Sequence, residues 1–384
     1  MHVPFCLAKK CLYCDFVSVP YGRSLSERYL SALSKEMSLI AAEKFAAEKE
    51  KEKENKTALR TLFIGGGTPT ALEAGQLEKL FSSIRKNFDF QPGAEATIEV
   101  NPATAGPEKF RLLLEAGVSR VSIGVQSFSG TELDTLGRLH SSQDALNAVR
   151  TAREVGFEDK NISIDLIYSI PGQTAGSWRR TLEAALALGV GHISAYELTL
   201  EDNTPISGLV KSGALRMPEE DEALRLYFLA EQMLGKAGFV HYEVSNYALS
   251  GHESLHNMNY WQRGEYLGLG AAAHSFIEGK RWKNTDDISR YMDLLEKDIL
   301  PVEEVCKLTA EEEKREFVFL GLRTLEGISI STGESLFGAD MERAARQFVK
   351  EGFLEISKGR LHATRAGFPL LDGIVLRLLA GLDL

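Results

Sequence analysis

Cysteine is scarce in this sequence, and its few copies are unevenly placed. The chain has four cysteines in 384 residues, which is too few for a disulfide framework in a chain of this size. Three of them, Cys6, Cys11 and Cys14, lie within nine positions. A structural zinc site usually has a second C-x-x-C or H-x-x-x-H pair, and the only cysteine outside this segment is Cys306. The cysteine pattern therefore favours another kind of metal centre.

Long apolar runs are also absent. No segment approaches the roughly 18 consecutive apolar residues of a membrane-spanning helix, and no signal or transit peptide precedes Cys6. We therefore expect a cytoplasmic protein without a membrane span, in a compartment that keeps thiols reduced.

Basic residues are outnumbered by acidic ones. The chain has 44 Lys and Arg against 54 Asp and Glu, for a net charge of −10. This balance argues against a nucleic-acid or anionic-membrane partner held by bulk electrostatics. A hydrophobic content of 44% and a charged content of 26% are ordinary for a soluble globular protein. The length suits one large domain and a smaller one.

The segment from Met1 to Cys14 places three thiols on one short loop. Thiolates bind soft metals and iron–sulfur clusters. A [4Fe–4S] cluster usually has four cysteine ligands, so three would leave one iron open to an exchangeable group, as in catalytic metal sites. The alternatives are a cysteine-rich turn or half of a zinc site whose other ligands lie elsewhere.

Short apolar strands alternate with helices along most of the chain. We predict strands at 61–64, 96–100, 120–125, 162–168 and 192–198, and helices at 24–56, 109–116, 131–138, 142–155, 175–188 and 218–237. This alternation indicates βαβ units and a parallel sheet. About six such units predict an α/β fold, a partial (β/α)6 TIM-like barrel, because no single turn carries all the ligand signals.

Polar residues occupy the ends of these strands. Glu99, Gln126 and Asp165 each lie in or at the carboxyl end of a predicted strand, and Arg138 follows soon after. Ligands bind at this end in parallel α/β folds, and polar groups inside apolar strands are costly unless paired. For Glu99 or Asp165 taken alone, the alternative is helix capping or a buried ion pair with Arg120 or Arg138.

A glycine-rich turn, Gly65-Gly66-Gly67-Thr68-Pro69, follows the strand at 61–64. Glycines let the backbone approach a ligand closely, and the proline ends the strand. The alternative is a tight strand-to-helix turn without a ligand.

These motifs together resemble a known family. H-V-P-F-C, which begins at His2, and C-x-Y-C-D-F, which ends at Phe16, are similar to the cluster loop of the radical S-adenosylmethionine (SAM) family. The similarity is to the branch that contains oxygen-independent coproporphyrinogen III oxidase and the heme chaperone HemW. The family spacing is C-x3-C-x2-C, whereas this loop has four residues between its first two cysteines. The resemblance implies a radical SAM barrel with a [4Fe–4S] cluster on Cys6, Cys11 and Cys14.

The resemblance also implies a set of SAM contacts, which are Tyr13, Gly66, Gly67, Thr68, Glu99, Gln126, Arg138 and Asp165. Tyr13 would lie beside the cluster, the glycine turn would meet the amino group of SAM, and the remaining four would meet its ribose and methionine portions. In this family an electron from the cluster cleaves SAM while the protein supplies placement and a dry interior. An electron donor is therefore implied.

The segment from His256 to Trp261 reads H-N-M-N-Y-W. Imidazole is a common iron ligand, and neighbouring aromatic residues can flank a flat macrocycle. By itself, a hydrogen-bonded core histidine is the simpler interpretation. H-N-x-x-Y-W, however, resembles the motif associated with heme binding in the HemW branch. This resemblance implies His256 as a ligand or orienter of heme, with His252 as the second candidate.

Two functions follow from the resemblance. The first is a heme chaperone that passes heme to an acceptor hemoprotein such as a respiratory enzyme. The second is oxygen-independent coproporphyrinogen III oxidase, an enzyme of porphyrin biosynthesis. The oxidase has a further cysteine where this chain has Phe16, and a long segment before the cluster where this chain has almost nothing, so we favour the chaperone. A third hypothesis is a heme-binding protein that has lost the cluster because of its longer loop.

We predict three regions. Residues 1–240 form the barrel, with the cluster loop at 1–16 and a truncated first strand. Residues 241–300 connect it, with the H-N-x-x-Y-W motif, to a winged-helix-like appendage at 301–384. In the appendage we expect helices at 309–324 and 339–351, a strand pair at 353–356 and 360–364, and Cys306 as a buried apolar residue. The charged run at 48–56 is interpreted as a solvated helix end or a mobile insert.

Overall fold

The computed structural model describes residues 1–8, 10–48, 58–338 and 340–382. The charged run after Glu48 lies outside these ranges. No described helix is long and apolar enough to cross a membrane.

The strands, numbered in chain order, are β1 (His2–Val3), β2 (Phe5–Cys6), β3 (Val19–Pro20), β4 (Ala58–Gly66), β5 (Asp89–Val100), β6 (Arg120–Gln126), β7 (Ile162–Tyr168), β8 (His192–Glu197), β9 (Val240–Glu243), β10 (Asn246–Ala248), β11 (His274–Ile277), β12 (Lys280–Asn284), β13 (Val302–Lys307), β14 (Ile328–Ser329), β15 (Leu354–Ser357) and β16 (Arg360–Ala363).

The α-helices are α1 (Arg23–Glu48), α2 (Ala74–Asn87), α3 (Pro107–Glu115), α4 (Gly130–Leu136), α5 (Ser142–Val155), α6 (Ala175–Ala187), α7 (Pro205–Lys211), α8 (Glu220–Lys236), α9 (Leu255–Trp261), α10 (Ile288–Glu296), α11 (Ala310–Gly321), α12 (Ile330–Phe337), α13 (Met341–Lys350) and α14 (Leu371–Ala380).

The main sheet has the strand order β1-β4-β5-β6-β7-β8-β10-β9. Its strands from β1 to β8 pair in parallel, and helices connect each strand to the next along the sheet. The predicted α/β fold with a partial (β/α)6 barrel is therefore confirmed. β10 and β9 then extend the same sheet in antiparallel orientation. The domain boundaries at 240 and 300 stay predictions.

The barrel strands are buried on both faces, as expected for a parallel sheet covered by helices. Val121 and Ile123 on one face of β6 have no exposed surface, and in β7 the same holds for both faces, at Ile162, Ser163 and Ile164. Asp165 interrupts this apolar run in the middle of β7. A carboxylate at such a position therefore needs a specific partner.

Local signals explain which helices the sequence predicts correctly. Ser141 begins α5 by accepting a hydrogen bond from the N–H of Asp144, and Thr174 begins α6 in the same way. Such capping boxes fix a helix start from neighbouring residues. The helix α2 was not predicted, although its buried Leu77 and Ile84 recur at helical spacing.

The C-terminal region combines helices α11 to α14 with a three-stranded sheet of order β14-β16-β15. The expected strand pair is present as β15 and β16, and α12 and α14 are additional helices. Before this region, β11, β12 and β13 form a separate antiparallel sheet.

Cys306 lies in β13 and is exposed, so the prediction that it is a buried apolar residue is wrong. A strand with one open face leaves such a side chain in solvent.

Candidate functional site

The loop that carries the three cysteines is fixed by its backbone at Leu12. The N–H of Leu12 donates to the carbonyl of Leu136 at 3.0 Å, and its carbonyl accepts from the N–H of Ile206 at 2.9 Å. Gly137 leaves room for this approach, because a Cβ there would lie 2.7 Å from the Leu12 side chain. The loop is thus held between the end of α4 and the start of α7, an arrangement that no sequence pattern predicted.

Cys6, Cys11 and Cys14 are all half-buried free thiols. Burial raises the pKa of the Cys14 thiol to about 11. Among the described residues, no group of three or more His, Cys, Asp or Glu side chains is arranged to hold a metal ion. The structure places the three cysteines on one loop, where the Cys14 thiol lies close enough to Cys11 and Cys6 to feel their charges. Three sulfur donors still match the chemistry of a soft iron centre.

Each of the three glycines at the end of β4 is required by a close contact. A Cβ on Gly65 would lie 2.8 Å from the Glu99 carboxylate, and one on Gly67 would lie 2.7 Å from the Phe5 backbone. Gly66 has a φ of +115°, and a Cβ there would overlap the ring of His2 at 1.7 Å. No other residue type fits these positions without a shift.

The amide groups of this turn already have partners. The N–H of Gly66 donates to Glu99 Oε2 at 3.1 Å, while those of Gly67 and Thr68 donate to the carbonyls of Val3 and Phe5. An amino group is itself a donor, so a ligand amine at this turn would need oxygen acceptors rather than N–H groups.

Glu99 and Asp165 place two carboxyl groups inside the barrel. Burial, followed by the negative charge of Asp165, raises the pKa of Glu99 to about 8. Burial also raises the pKa of Asp165, whose Oδ1 accepts a hydrogen bond from Ser122 at 3.0 Å. Within the described part of the chain, neither carboxylate forms an ion pair. Two buried carboxyl groups close together favour a cationic ligand.

Arg138 links this interior to the cysteine loop. Its Nη2 donates to the carbonyl of Gly124 at 2.7 Å, and its Nη1 donates to Cys11 Sγ at 3.6 Å. Tyr13 also lies beside this guanidinium. Arg138 therefore connects the end of β6 to a predicted cluster ligand rather than pairing with Glu99 or Asp165.

Gln126 ends β6 in a left-handed conformation, with a φ of 66°. Such a conformation is costly for a residue other than glycine, and it recurs at functional sites. Its Oε1 accepts a hydrogen bond from Tyr196 at 3.0 Å. Tyr196 was not among the predicted site residues, although its position in β8 near the strand's carboxyl end was a usable signal.

His256, by contrast, lies outside this interior, on α9. Its Nδ1 is 2.8 Å from Thr61 Oγ1, and its Nε2 is 2.9 Å from the hydroxyl of Tyr260. The ring stacks on Phe63 with 5.2 Å between ring centroids. Burial lowers its pKa to about 4, so the ring is neutral at pH 7. His256 is a hydrogen-bonded, packed histidine in this state.

Glu95 of β5 holds α9 in place. Its carboxylate accepts the backbone N–H groups of Leu255 and His256, each at 3.0 Å, and the hydroxyl of Ser254 at 3.3 Å. A carboxylate at a helix start satisfies donors that the helix leaves free. Sequence reasoning missed Glu95, because its partners are about 160 residues away.

A cavity of about 950 Å³ lies between β4, α9 and the loop before β11. β1 pairs with β4 at Gly65 and Gly66, and earlier residues of β4 line the cavity. Its aromatic and aliphatic walls include Phe16, Leu59, Phe63, Met258, Tyr260, Tyr266, Leu267 and Ile277, and its histidines are His2, His256 and His274.

Of the other predicted site residues, Gly66 also lines this cavity, whereas the three cysteines, Glu99, Arg138 and Asp165 do not. His252 does not line it either, and its carbonyl accepts from Arg120 at 3.3 Å. The predicted residues thus divide between the barrel interior and this cavity, and Gly66 belongs to both, since its N–H donates to Glu99. The volume suits a small-molecule or cofactor site.

Comparisons with known proteins match this architecture. The family model of the radical SAM superfamily matches residues 1–185, and that of the HemN C-terminal domain matches residues 308–370. A solved structure of coproporphyrinogen III oxidase (HemN) from Escherichia coli, described as a radical SAM enzyme, superposes with a TM-score of 0.83. It is 22% identical and covers 98% of this chain and 88% of that one. This likeness establishes the shared fold.

Curated relatives align over nearly the whole chain. A heme chaperone HemW from Lactococcus lactis subsp. lactis is 35% identical over 97% of this chain and 94% of its own length. HemW from Bacillus subtilis is 34% identical over 96% and 95%, and HemW from Mycobacterium tuberculosis is 36% identical over 99% and 94%. The chain therefore belongs to the radical SAM superfamily and, within it, to the heme chaperone HemW family.

Proposed function

We propose that this protein is a heme chaperone that binds heme in the cavity beside α9 and transfers it to an acceptor hemoprotein, such as a respiratory enzyme, in the cytoplasm. The observation that carries the proposal is the cavity of about 950 Å³ next to the H-N-x-x-Y-W helix. Aromatic and aliphatic walls suit the faces of a macrocycle, and the histidines offer nitrogen to its iron.

His256 has a defined place in this proposal. Its ring forms part of the cavity wall, and the wall is kept rigid by the stacking on Phe63 and the hydrogen bonds to Thr61 and Tyr260. Its role is to orient the heme or to bind its iron. His252 lies away from the cavity lining and is the weaker candidate.

We also propose that the barrel interior holds a [4Fe–4S] cluster and SAM. The donor set fits, because Cys6, Cys11 and Cys14 are on one anchored loop and Arg138 reaches Cys11. The two interior carboxyl groups, Glu99 and Asp165, fit the positive charges of SAM. The site of the cluster and the site of SAM are thus proposed from the chemistry of the side chains.

When bound, these groups supply reductive cleavage of SAM, with an external electron donor to the cluster. The chain's own residues do the positioning. Oxygen atoms around Gly66, Gly67 and Thr68 would accept from the SAM amino group. Four side chains would contact its ribose and methionine portions, namely Glu99, Gln126, Arg138 and Asp165, and Tyr13 would lie beside the cluster. The packed strands exclude water from this interior.

The likeness to the HemN fold keeps one alternative open, which is oxidation of coproporphyrinogen III. An anaerobic assay of the reconstituted protein with coproporphyrinogen III, SAM and a reductant distinguishes the two functions. We expect no protoporphyrinogen from this protein, while an authentic oxidase in the same buffer forms it. Accumulation of product would contradict the chaperone proposal.

Hemin titration tests the chaperone proposal directly. We expect one hemin per chain, detected as a shifted Soret band, and affinity at least about tenfold lower after His256→Ala, because the cavity wall loses its ring and its hydrogen bonds. His362→Ala is a matched control, since that histidine lies in β16 of the C-terminal region. Absence of hemin binding by the unsubstituted protein would overturn the proposal.

A further inference from the structure

A heme iron needs an imidazole nitrogen with a free lone pair, and the three histidines of the cavity differ in this respect. His256 has both ring nitrogens in hydrogen bonds. His2 uses Nδ1 with the carbonyl of Ala271 and has a further hydrogen bond to the Val17 backbone. The imidazole of His274 has no hydrogen-bond partner among the described residues, and His274 is exposed at the cavity rim.

The free energy lost when an existing hydrogen bond is broken for iron binding therefore differs between these histidines. His256 would lose the hydrogen bond to Thr61 or to Tyr260, and the partner left behind would be partly buried. Leaving a buried polar group unpaired costs on the order of 1–3 kcal/mol. The imidazole of His274 has no hydrogen bond to any described residue that it would lose on binding a metal.

The backbone at His274 is held rigidly in place. Asn284 donates its N–H to the carbonyl of Ala273 at 2.9 Å, and its side chain donates to the carbonyl of Gly270 and to the buried carboxylate of Glu36. Ala272 has a φ of 59°, an uncommon conformation for a residue other than glycine that needs support from its surroundings. This network fixes the direction in which β11 leaves the cavity.

The loop before β11 also contacts the backbone of His274. Gly268 packs directly on the backbone of His274, because a Cβ at Gly268 would lie 2.0 Å from the His274 carbonyl oxygen. The N–H of Gly268 donates to Ser275 Oγ at 2.9 Å. The backbone at the start of β11 is thus fixed by contacts on both sides, which leaves the imidazole of His274 exposed for a ligand.

Positive charge lies next to His274. Lys283 of β12 is its direct cross-strand partner, so the two side chains lie on the same face of the sheet. Lys283 forms two long ion pairs, with its Nζ 3.5 Å from Glu304 and 3.9 Å from Asp286. Arg281, on the same face, is paired more tightly with Glu316 at 2.5 Å. Of these two cations beside His274, Lys283 is therefore the less tightly paired and the one that can exchange a partner for a ligand carboxylate.

We infer that His274 supplies the imidazole that binds the heme iron, and that Lys283 pairs with a heme propionate. This inference rests on the proposed heme binding and assigns the orienting role to His256. Heme combines an iron, apolar faces and carboxylates. The cavity offers an aromatic wall and, at its rim, the imidazole of His274, and the ammonium of Lys283 lies beside that histidine on the neighbouring strand.

The test is a hemin titration that follows both affinity and the position of the Soret maximum. We expect His274→Ala to lower the affinity at least about tenfold and to move the Soret maximum of the bound heme. We expect His256→Ala to keep the maximum of the unsubstituted protein, because the iron ligand remains. Adding imidazole to His274→Gly restores the original maximum, which a purely structural role of His274 would not produce.

The propionate contact is tested with hemin and its dimethyl ester. We expect Lys283→Met to weaken hemin binding about fivefold, in the range of an exposed ion pair, and to leave ester binding unchanged. Lys280→Met is the matched control, since Lys280 lies on the same strand three residues earlier and on its other face.

The outcomes separate the two proposals. If the unsubstituted protein binds hemin and His274→Ala leaves affinity and spectrum unchanged, the assignment of His274 is wrong while the chaperone proposal stands. If the unsubstituted protein binds no hemin, the proposed function fails, and this inference fails with it.

Discussion

The carboxylate of Glu95 accepts the backbone N–H of His256 at 3.0 Å. This contact joins a barrel strand to the first turn of α9, and the same carboxylate also accepts from Leu255 and Ser254. One side chain on β5 therefore sets the position of the helix that lines the proposed heme cavity.

We expect Glu95→Ala to lower the free energy of unfolding by about 1–2 kcal/mol, since the start of α9 loses a charged acceptor. Urea denaturation followed by circular dichroism measures this change. Glu78→Ala is the control, because Glu78 is exposed on α2, and we expect it to change the free energy by less than about 0.5 kcal/mol. Equal stabilities of the two variants would show that Glu95 does not hold α9.

The iron content of cysteine variants tests the cluster ligands. After anaerobic reconstitution we expect about four irons per chain in the unsubstituted protein. Replacing Cys6, Cys11 or Cys14 singly by Ala is expected to remove most of this iron, since two thiolates do not hold the cluster. Cys306→Ala is the control, because that thiol is exposed in β13. Full iron content in any of the three loop variants would exclude that cysteine as a ligand.

The stability of the metal-free protein should depend on Glu99. Its pKa is about 8 in the folded chain, compared with the ordinary value of 4.5, so the folded state keeps a proton that the unfolded state releases. Stability therefore decreases as the pH rises from about 5 to 8, by on the order of 3 kcal/mol from this group.

Glu99→Gln removes the titrating group, and we expect it to flatten this pH profile. Burial also raises the pKa of Asp165, so this group too makes stability fall as the pH rises. The Glu99→Gln variant therefore keeps part of the pH dependence. Denaturant unfolding at a series of pH values provides the measurement. A profile identical to that of the unsubstituted protein would mean that Glu99 is ionised in the fold.

Gly66 and Gly75 provide a matched pair of glycine substitutions. At Gly66 a Cβ would overlap the His2 ring, and φ is +115°, so Gly66→Ala should lower the free energy of unfolding by more than about 2 kcal/mol. At Gly75 in α2 nothing lies within 4 Å of the added Cβ, and Ala favours the helix. We expect Gly75→Ala to raise stability by up to about 1 kcal/mol, and the opposite ranking would contradict the packing around the turn.

Most of the barrel could be predicted from the sequence because its signals are local. The apolar run at 162–168 and the capping residues Ser141 and Thr174 lie within a few residues of the elements they define. Helices such as α7 and strands such as β11 were missed, since they are short and are held by distant partners. The exposure of Cys306 was mispredicted for the same reason, because it depends on whether anything covers β13.

The sequence by itself determined the alternation of strands and helices, the three thiols on one loop and the family to which the motifs belong. Those properties depend on residue type and on spacing along the chain. Only the tertiary structure decided that Arg138 turns to Cys11 and that Glu99 and Asp165 lie together without an ion pair to any described residue. It also decided that His256 is hydrogen-bonded, while the imidazole of His274 has no hydrogen-bond partner in the described part of the chain. Such contacts join residues far apart in the chain, so their geometry exists only after the barrel has folded.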